Sequence, residues 1–219
     1  NIENVSPDAH LAPSVGDSSS KTSSKAWHKI DGVCYNGSGK KVEGAITRGM
    51  DVSEWQGKIN WKEAKKDLDF AFVRISYGTR HLDDYYAYNM TEAEAADVPV
   101  GTYVYSLAKT NKEALAEAQL AIRQMQGHKV SYPVAFDLED EATLGTLTRK
   151  EISQIALTFC DEIRKAGYTP ILYMNLNWYN NFVDWMSGLQ ATEIQFLHRA
   201  PANTNTPSGS AQLVMKFQV

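Results

Sequence analysis

Apolar runs of strand length alternate with segments of helical period along most of the chain, from about residue 48 onward. β-Branched and aromatic residues crowd Phe70–Ile75, Val100–Tyr105, Pro133–Leu138 and Pro170–Met174, and each run predicts a strand. Weaker runs at Met50–Val52, Glu193–Leu197 and Gln212–Val219 predict three more. Thr91-x-x-Glu94, Thr110-x-x-Glu113 and Thr148-x-x-Glu151 have the form of capping boxes, in which hydroxyl and carboxylate satisfy otherwise orphaned amides, so each predicts a helix start. After the last of them Ile152, Ile155, Ala156, Phe159, Ile163 and Ala166 recur at helical spacing, and Gly167 offers a stop. Ala114, Leu115, Ala118, Ile122 and Met125 do the same ahead of Gly127.

Strand and helix repeating about every thirty residues predict parallel strands joined by crossover helices. Nearly continuous apolar strands fit a sheet covered on both faces. Shorter intervals and weaker helix signals in the last third predict antiparallel pairing there. The expected fold is therefore α/β, an irregular TIM-like β/α barrel with antiparallel strands in its C-terminal third. A doubly wound open sheet is the runner-up, weakened by the lack of a Gly-rich phosphate loop. Residues 1–25, rich in Ser and without apolar period, are expected to be a disordered tail. Residues 26–47 hold two strand-like runs around Asn36-Gly37 and are expected to form a hairpin or linker. Their aromatic and glycine rhythm resembles one degenerate copy of a cell-wall-binding repeat. Residues 48–219 would then be the barrel.

Composition narrows the function. With 219 residues and 43% hydrophobic content the chain can bury one full core. Its 26 acidic against 22 basic residues leave no basic footprint, which argues against nucleic acid as a partner. No run of eighteen apolar residues occurs, so no membrane-spanning helix is expected. Cys34 and Cys160 are too few for a disulfide framework or a thiolate zinc site; a bridge between them is open. The five histidines have no H-x-H or H-x-x-x-H pairing. A metal set of Asp51, Asp137, His81 and His198 is conceivable but weak, and no metal or other cofactor is expected. Ser53 and Ser106 lack a histidine at a recognisable spacing, which weighs against a serine nucleophile.

In a β/α barrel the working residues gather at the C-terminal ends of strands. Those ends carry Asp51 and Gln56, then Tyr103 and Tyr105, then Asp137-Leu138-Glu139-Asp140-Glu141, then Tyr173 and Asn175. Asp137 and Glu139, two apart on a strand, face the same way. Neighbouring carboxyls oppose each other's ionisation, so one can hold a proton while the other stays charged. Glycoside hydrolysis needs that condition: an acid for the leaving oxygen and a carboxylate beside the oxocarbenium-like centre. A solvated acidic loop is the plain alternative.

The segments Asp51-Val52-Ser53-Glu54-Trp55-Gln56-Gly57, Gly101-Thr102-Tyr103-Val104-Tyr105-Ser106, Asp137-Leu138-Glu139-Asp140 and Pro170-Ile171-Leu172-Tyr173, in this order, resemble glycoside hydrolase family 25, the Chalaropsis-type lysozymes or N-acetylmuramidases. The resemblance implies a peptidoglycan hydrolase that cleaves the β-1,4 bond between N-acetylmuramic acid and N-acetylglucosamine. It implies Glu139 as general acid, Asp137 as the carboxylate that stabilises the transition state or orients the 2-acetamido group, and Asp51 as a groove aspartate. Tyr103, Tyr105, Tyr173, Gln56 and Asn175 would contact substrate. The partner would be bacterial glycan strands, and the chain a monomer, secreted or wall-associated. Two departures stand out: Phe196-Leu197-His198-Arg199-Ala200 where the family commonly has Trp-x-Ala-Arg-Tyr, and Phe217-Gln218-Val219 where it has Trp-Gln-Tyr. On them rests the expectation of a barrel short of a closing segment, and the alternative of a weakened or inactive wall-binding barrel.

Overall fold

The computed structural model describes residues 28–35, 39–42, 45, 47–174, 197–200 and 211–215; residues 28, 197–200 and 211–215 are described by backbone alone. Strands β1 (His28–Ile30) and β2 (Val33–Tyr35) pair antiparallel with Ile30 opposite Val33. Antiparallel pairing flanks the expected position, since Tyr35 bridges Lys41 and the Val42 amide donates to the Cys34 carbonyl at 2.8 Å, and β1 with β2 adds a second turn ahead of it. Asp31 and Gly32 both have positive φ, 48° and 79°, as a two-residue type I′ turn requires. Asn36-Gly37, the expected turn, lies outside the described residues. Cys34 is buried beside Ala45 and Val42, and Lys29 reaches Asp69 at 3.0 Å, which ties the hairpin to the main body.

The main sheet holds the parallel strands β3 (Gly49–Val52), β4 (Phe70–Tyr77), β6 (Val100–Tyr105), β7 (Val134–Asp137) and β8 (Pro170–Tyr173). The short β5 (His81–Leu82) folds back antiparallel on β4. On the far side of β3, β10 (Ala211–Met215) pairs with it antiparallel, and β9 (Leu197–Ala200) pairs antiparallel with β10. Across the sheet the order is β8-β7-β6-β4-β3-β10-β9. The mostly parallel α/β architecture expected from the strand–helix alternation is present.

Helices α1 (Trp61–Ala64), α2 (Tyr86–Ala95), α3 (Asn111–Met125), α4 (Glu141–Leu144) and α5 (Arg149–Lys165) link the strands. Thr148 and Glu151 close a full capping box at the start of α5. At α3 the Thr110 hydroxyl accepts from the Glu113 amide at 3.2 Å, but the Glu113 carboxylate turns to the Lys109 amide instead. Thr91-x-x-Glu94 begins no helix: Thr91 stands exposed inside α2. The helix starts earlier because the Asp83 carboxylate accepts from the Tyr85 amide at 3.0 Å and the Asp83 carbonyl from the Tyr86 amide at 3.1 Å. The N-cap position, Tyr85, makes no side-chain cap bond, and the Asp83 carboxylate instead closes a turn just ahead of it.

Both faces of the sheet are buried, by different means. On the outer face Val52, Val73, Val104, Phe136 and Leu172 pack against Ala114 and Ala118 of α3 and Ile152, Ile155 and Phe159 of α5. Phe136 and Phe159 stack with ring centroids 4.0 Å apart. On the inner face a smaller cluster of Phe70, Phe72, Ala135 and Ile171 fills the lower half. Gly101 makes room for it: a Cβ there would lie 2.6 Å from the Pro133 carbonyl and 2.7 Å from the Phe72 ring. Cys34 and Cys160 are buried in separate clusters, and no disulfide joins them.

Candidate functional site

Residues opposite one another in a parallel ladder share a face, so the register shows which side chains meet. Tyr77, Tyr105, Asp137 and Tyr173 form one row at the C-terminal ends of β4, β6, β7 and β8. One row below stand Arg74, Tyr103, Ala135 and Ile171, and below them Asp51, Phe72 and Gly101. All lie on the inner face. Its floor is apolar and its upper edge carries phenols and carboxylates.

Backbone hydrogen bonds fix that upper edge. The Gly78 amide donates to the Tyr105 carbonyl at 2.8 Å, the Ser106 amide to Asp137 at 2.9 Å, and the Leu138 amide to Tyr173 at 2.9 Å. The last carries the ladder one residue past the end of β7. Leu138 turns into the outer core, so alternation sends Asp137 and Glu139 to the same side. Asp137 is buried, with 5% exposure, whereas Glu139 is half-buried and open to solvent. The rest of the acidic run has other duties. Asp140 caps α4 by accepting from the Thr143 amide at 2.9 Å, and Glu141 is exposed in the first turn of α4.

Tyr105 is buried in this row and stacks on Tyr77, centroids 5.0 Å apart. Burial raises its pKa strongly, with Asp137, Asp140, Tyr77 and Glu139 adding to the effect, so the phenol keeps its proton. Its hydroxyl has no hydrogen-bond partner among the described residues. Behind it Glu117, buried on α3, accepts from the Ser106 hydroxyl at 2.8 Å and the Leu107 amide at 3.0 Å. Burial pushes that carboxyl up to about 7.

The end of β3 is built differently. Ser53 caps a 3-10 turn over Glu54–Gln56, and the Gln56 side-chain oxygen accepts from the Ser53 amide at 2.7 Å. That oxygen therefore closes the turn. Glu54 bonds to Arg74 at 3.0 Å and to His81 at 2.7 Å, and Arg74 bonds also to Asp83 at 2.9 Å. The Glu54 amide donates to Asp83 at 2.8 Å. Arg74 is a cation at 1% exposure, compensated by two carboxylates from two different loops. Sequence reasoning passed over this network, though an Arg within the apolar run Phe70–Ile75 is its signal. Glu54, His81 and Asp84 are also the group among the described residues whose ligand atoms lie within 4.8 Å of one another. The Arg74 guanidinium against Glu54 opposes a cation there. Asn175 lies outside the described residues, as do the side chain of His198 and all of Phe196 and Phe217–Val219.

In α/β folds the C-terminal edge of a mostly parallel sheet is where ligands and working residues gather, and here that edge carries carboxylates and phenols. The family model for glycosyl hydrolases family 25 matches residues 50–194, and the chain belongs to that family. An uncharacterized protein of Escherichia coli (strain K12), YegX, is 24% identical over 163 residues, which cover 71% of this chain and 58% of YegX. The chain thus spans 58% of that relative's length. The modular autolysin LytC from Streptococcus pneumoniae, solved in complex with a synthetic peptidoglycan ligand, is similar in fold. Its TM-score is 0.63 at 21% identity, over 86% of this chain and 52% of that one. A family 25 glycosyl hydrolase from Bacillus anthracis gives a TM-score of 0.60 at 20% identity, over 81% of this chain and 92% of that one.

Proposed function

We propose that the chain is a peptidoglycan hydrolase of the lysozyme type, cleaving the β-1,4 bond between N-acetylmuramic acid and N-acetylglucosamine, with Glu139 as general acid. The supporting observation is the unlike placement of two carboxylates at the end of β7, Asp137 buried and Glu139 open to solvent, in a chain of this family. Glu139 gives its proton to the leaving glycosidic oxygen. Asp137 holds the 2-acetamido group or the positive charge that grows at the anomeric carbon; water then gives that carbon its hydroxyl, and the proton left over restores the acid. The protonated Tyr105 offers a hydroxyl donor to the same group, and Tyr103 and Tyr173 offer ring faces to the sugar. Proton donor and charge partner are both side chains, so this chemistry draws on no cofactor.

The sheet, in this proposal, is the wall of an irregular barrel over residues 48–219. Strands in such a barrel tilt by about 36°, so a hydrogen-bonded row runs oblique to its axis. That tilt brings Asp51 on β3 and Asp137, three strands away, to similar heights around one groove. The enzyme acts as a monomer outside the cell or at the wall, and residues 26–47 serve as a hairpin packed on the barrel.

The test is release of reducing ends from purified peptidoglycan, with mass spectrometry of the products. Fragments ending in reducing N-acetylmuramic acid are expected, and Glu139→Gln should lower their rate by about 10³-fold while leaving the fold intact. A folded Glu139→Gln variant with full activity overturns the assignment. Retention on walls with no release by the unaltered chain would replace the hydrolase with a barrel that binds and does not cut.

A further inference from the structure

Trp55 and Leu82 stand out as large hydrophobic side chains left exposed, at 47% and 43%, and they flank the bonded pair Glu54 and His81 in sequence. An indole in water forgoes the stabilisation that burial would give, so its rigid support calls for a use. That support is extensive. The Trp55 amide donates to the Ser53 hydroxyl at 3.4 Å, and the Gly57 amide to the Glu54 carbonyl at 2.9 Å. Next to Trp55 in the chain, Glu54 is pinned by Arg74 and His81, while the Gln56 oxygen is committed to the cap. The turn is fixed before any ligand arrives, and a fixed aromatic binds without a further ordering cost.

Resting on the hydrolase reading above, we propose that Trp55, with Glu54, His81 and Asp84 at its edge, forms a saccharide subsite that grips a sugar ring of the glycan strand beyond the pair being cleaved. A pyranose ring has a C–H face and a rim of hydroxyls. The indole takes the face. The two carboxylates and the imidazole, with His81 and Asp84 both exposed, take hydroxyls and amides of the rim. Glu54 ties this turn to the groove face, because its partner Arg74 shares a row with Tyr103. Three strand spacings separate β3 from β7, about 14 Å at the usual interval, more than a single ring spans. Trp55 therefore meets a different sugar from the one that Glu139 protonates.

The experiment measures kcat/KM on a ladder of soluble glycan fragments, from the shortest that is cut to long strands. It compares the unaltered chain with Trp55→Ala and Trp55→Phe. Trp55→Ala should lower the advantage of long over short fragments by about tenfold, the scale of one lost ring contact. Trp55→Phe should restore most of that advantage, and thermal midpoints should match because the ring is exposed. An equal loss on every fragment overturns the proposal by placing Trp55 in the cleaving centre, and no loss overturns it by removing Trp55 from the sugar. Should the unaltered chain cut nothing, calorimetry with the longest fragment still decides. Binding weakened by Trp55→Ala keeps the subsite while the hydrolase reading fails, and binding untouched by it ends both.

Discussion

The two faces of the parallel sheet are made by the same strands and solve opposite problems. On the outer face every strand gives a residue such as Val73, Val104, Phe136 or Leu172 to a dry layer under α3 and α5. Shape and volume suffice there, so aliphatic and aromatic residues are interchangeable at modest cost. The inner face is apolar only in its lower half. Above Phe72 and Ala135 come Arg74, Tyr105 and Asp137, each nearly as deeply buried as the outer valines. A buried polar group is tolerated only with particular partners, so this half must be matched atom by atom. The difference teaches where substitution is survivable and where it is not.

The sharpest way to break this contrast is Arg74→Met. It preserves bulk and removes the charge that compensates Glu54 and Asp83, and the loss of one member of a buried ion network costs about 3–5 kcal/mol. Phe136→Leu on the outer face, which keeps an apolar group of similar volume, should cost about 1–2 kcal/mol. Urea unfolding of both variants measures the gap. Equal costs would mean that the inner network is no more demanding than a packed core.

How much of this was legible beforehand follows the same division. Outer-face strands and helices are local patterns, and Val100–Tyr105 appears at its expected bounds. Placing Asp137 and Glu139 on one side rests likewise on a local pattern, since period-two alternation needs only the strand. What escaped depends on chain segments that meet only after folding. Arg74 acquires its meaning from Glu54 and Asp83, twenty and nine residues away in opposite directions. Thr91 begins no helix because α2 is already under way from Tyr86, just behind an Asp83 whose carboxylate holds both the Tyr85 amide and Arg74. Gln56 reads as a groove residue, yet its oxygen folds back on Ser53, and a three-residue spacing alone cannot tell capping from binding. The N-terminal turns were readable only in part: the chain pairs across residues 36–40 as expected, but Asp31-Gly32, an equally good type I′ pair, was passed over.

Glu117 sharpens the comparison, being a carboxyl on the buried side of α3 among Ala114, Ala118 and Ala121. Burial raises its pKa from 4.5 to about 7. A raised acid contributes stability that is full below its unfolded value and is lost as pH rises through its folded value. Stability relative to Glu117→Gln should therefore fall between about pH 4.5 and pH 7 and level off above. The total change is roughly 3–4 kcal/mol for a shift of this size. Denaturant midpoints of the two proteins at pH 4.5, 6 and 8 test it. Parallel curves would show that the carboxyl is as well solvated as a surface one.

The smallest expected effect on stability carries the most information, because it should oppose the effect on activity. The Tyr105 hydroxyl is buried with no partner among the described residues, in the row that bears Asp137. A donor left in that state costs the folded protein the hydration it had in the unfolded chain. Tyr105→Phe removes the donor and keeps the ring that stacks on Tyr77, so it should stabilise the fold by about 0.5–1 kcal/mol. If the hydroxyl is instead kept for the substrate, the same change should lower kcat/KM on peptidoglycan about tenfold. Unfolding curves and initial rates on one preparation give both numbers. A variant more stable and less active marks the upper inner face as a surface built for a ligand. A variant less stable and equally active would make Tyr105 another core residue, and the boundary between the two halves of that face would move up to Asp137.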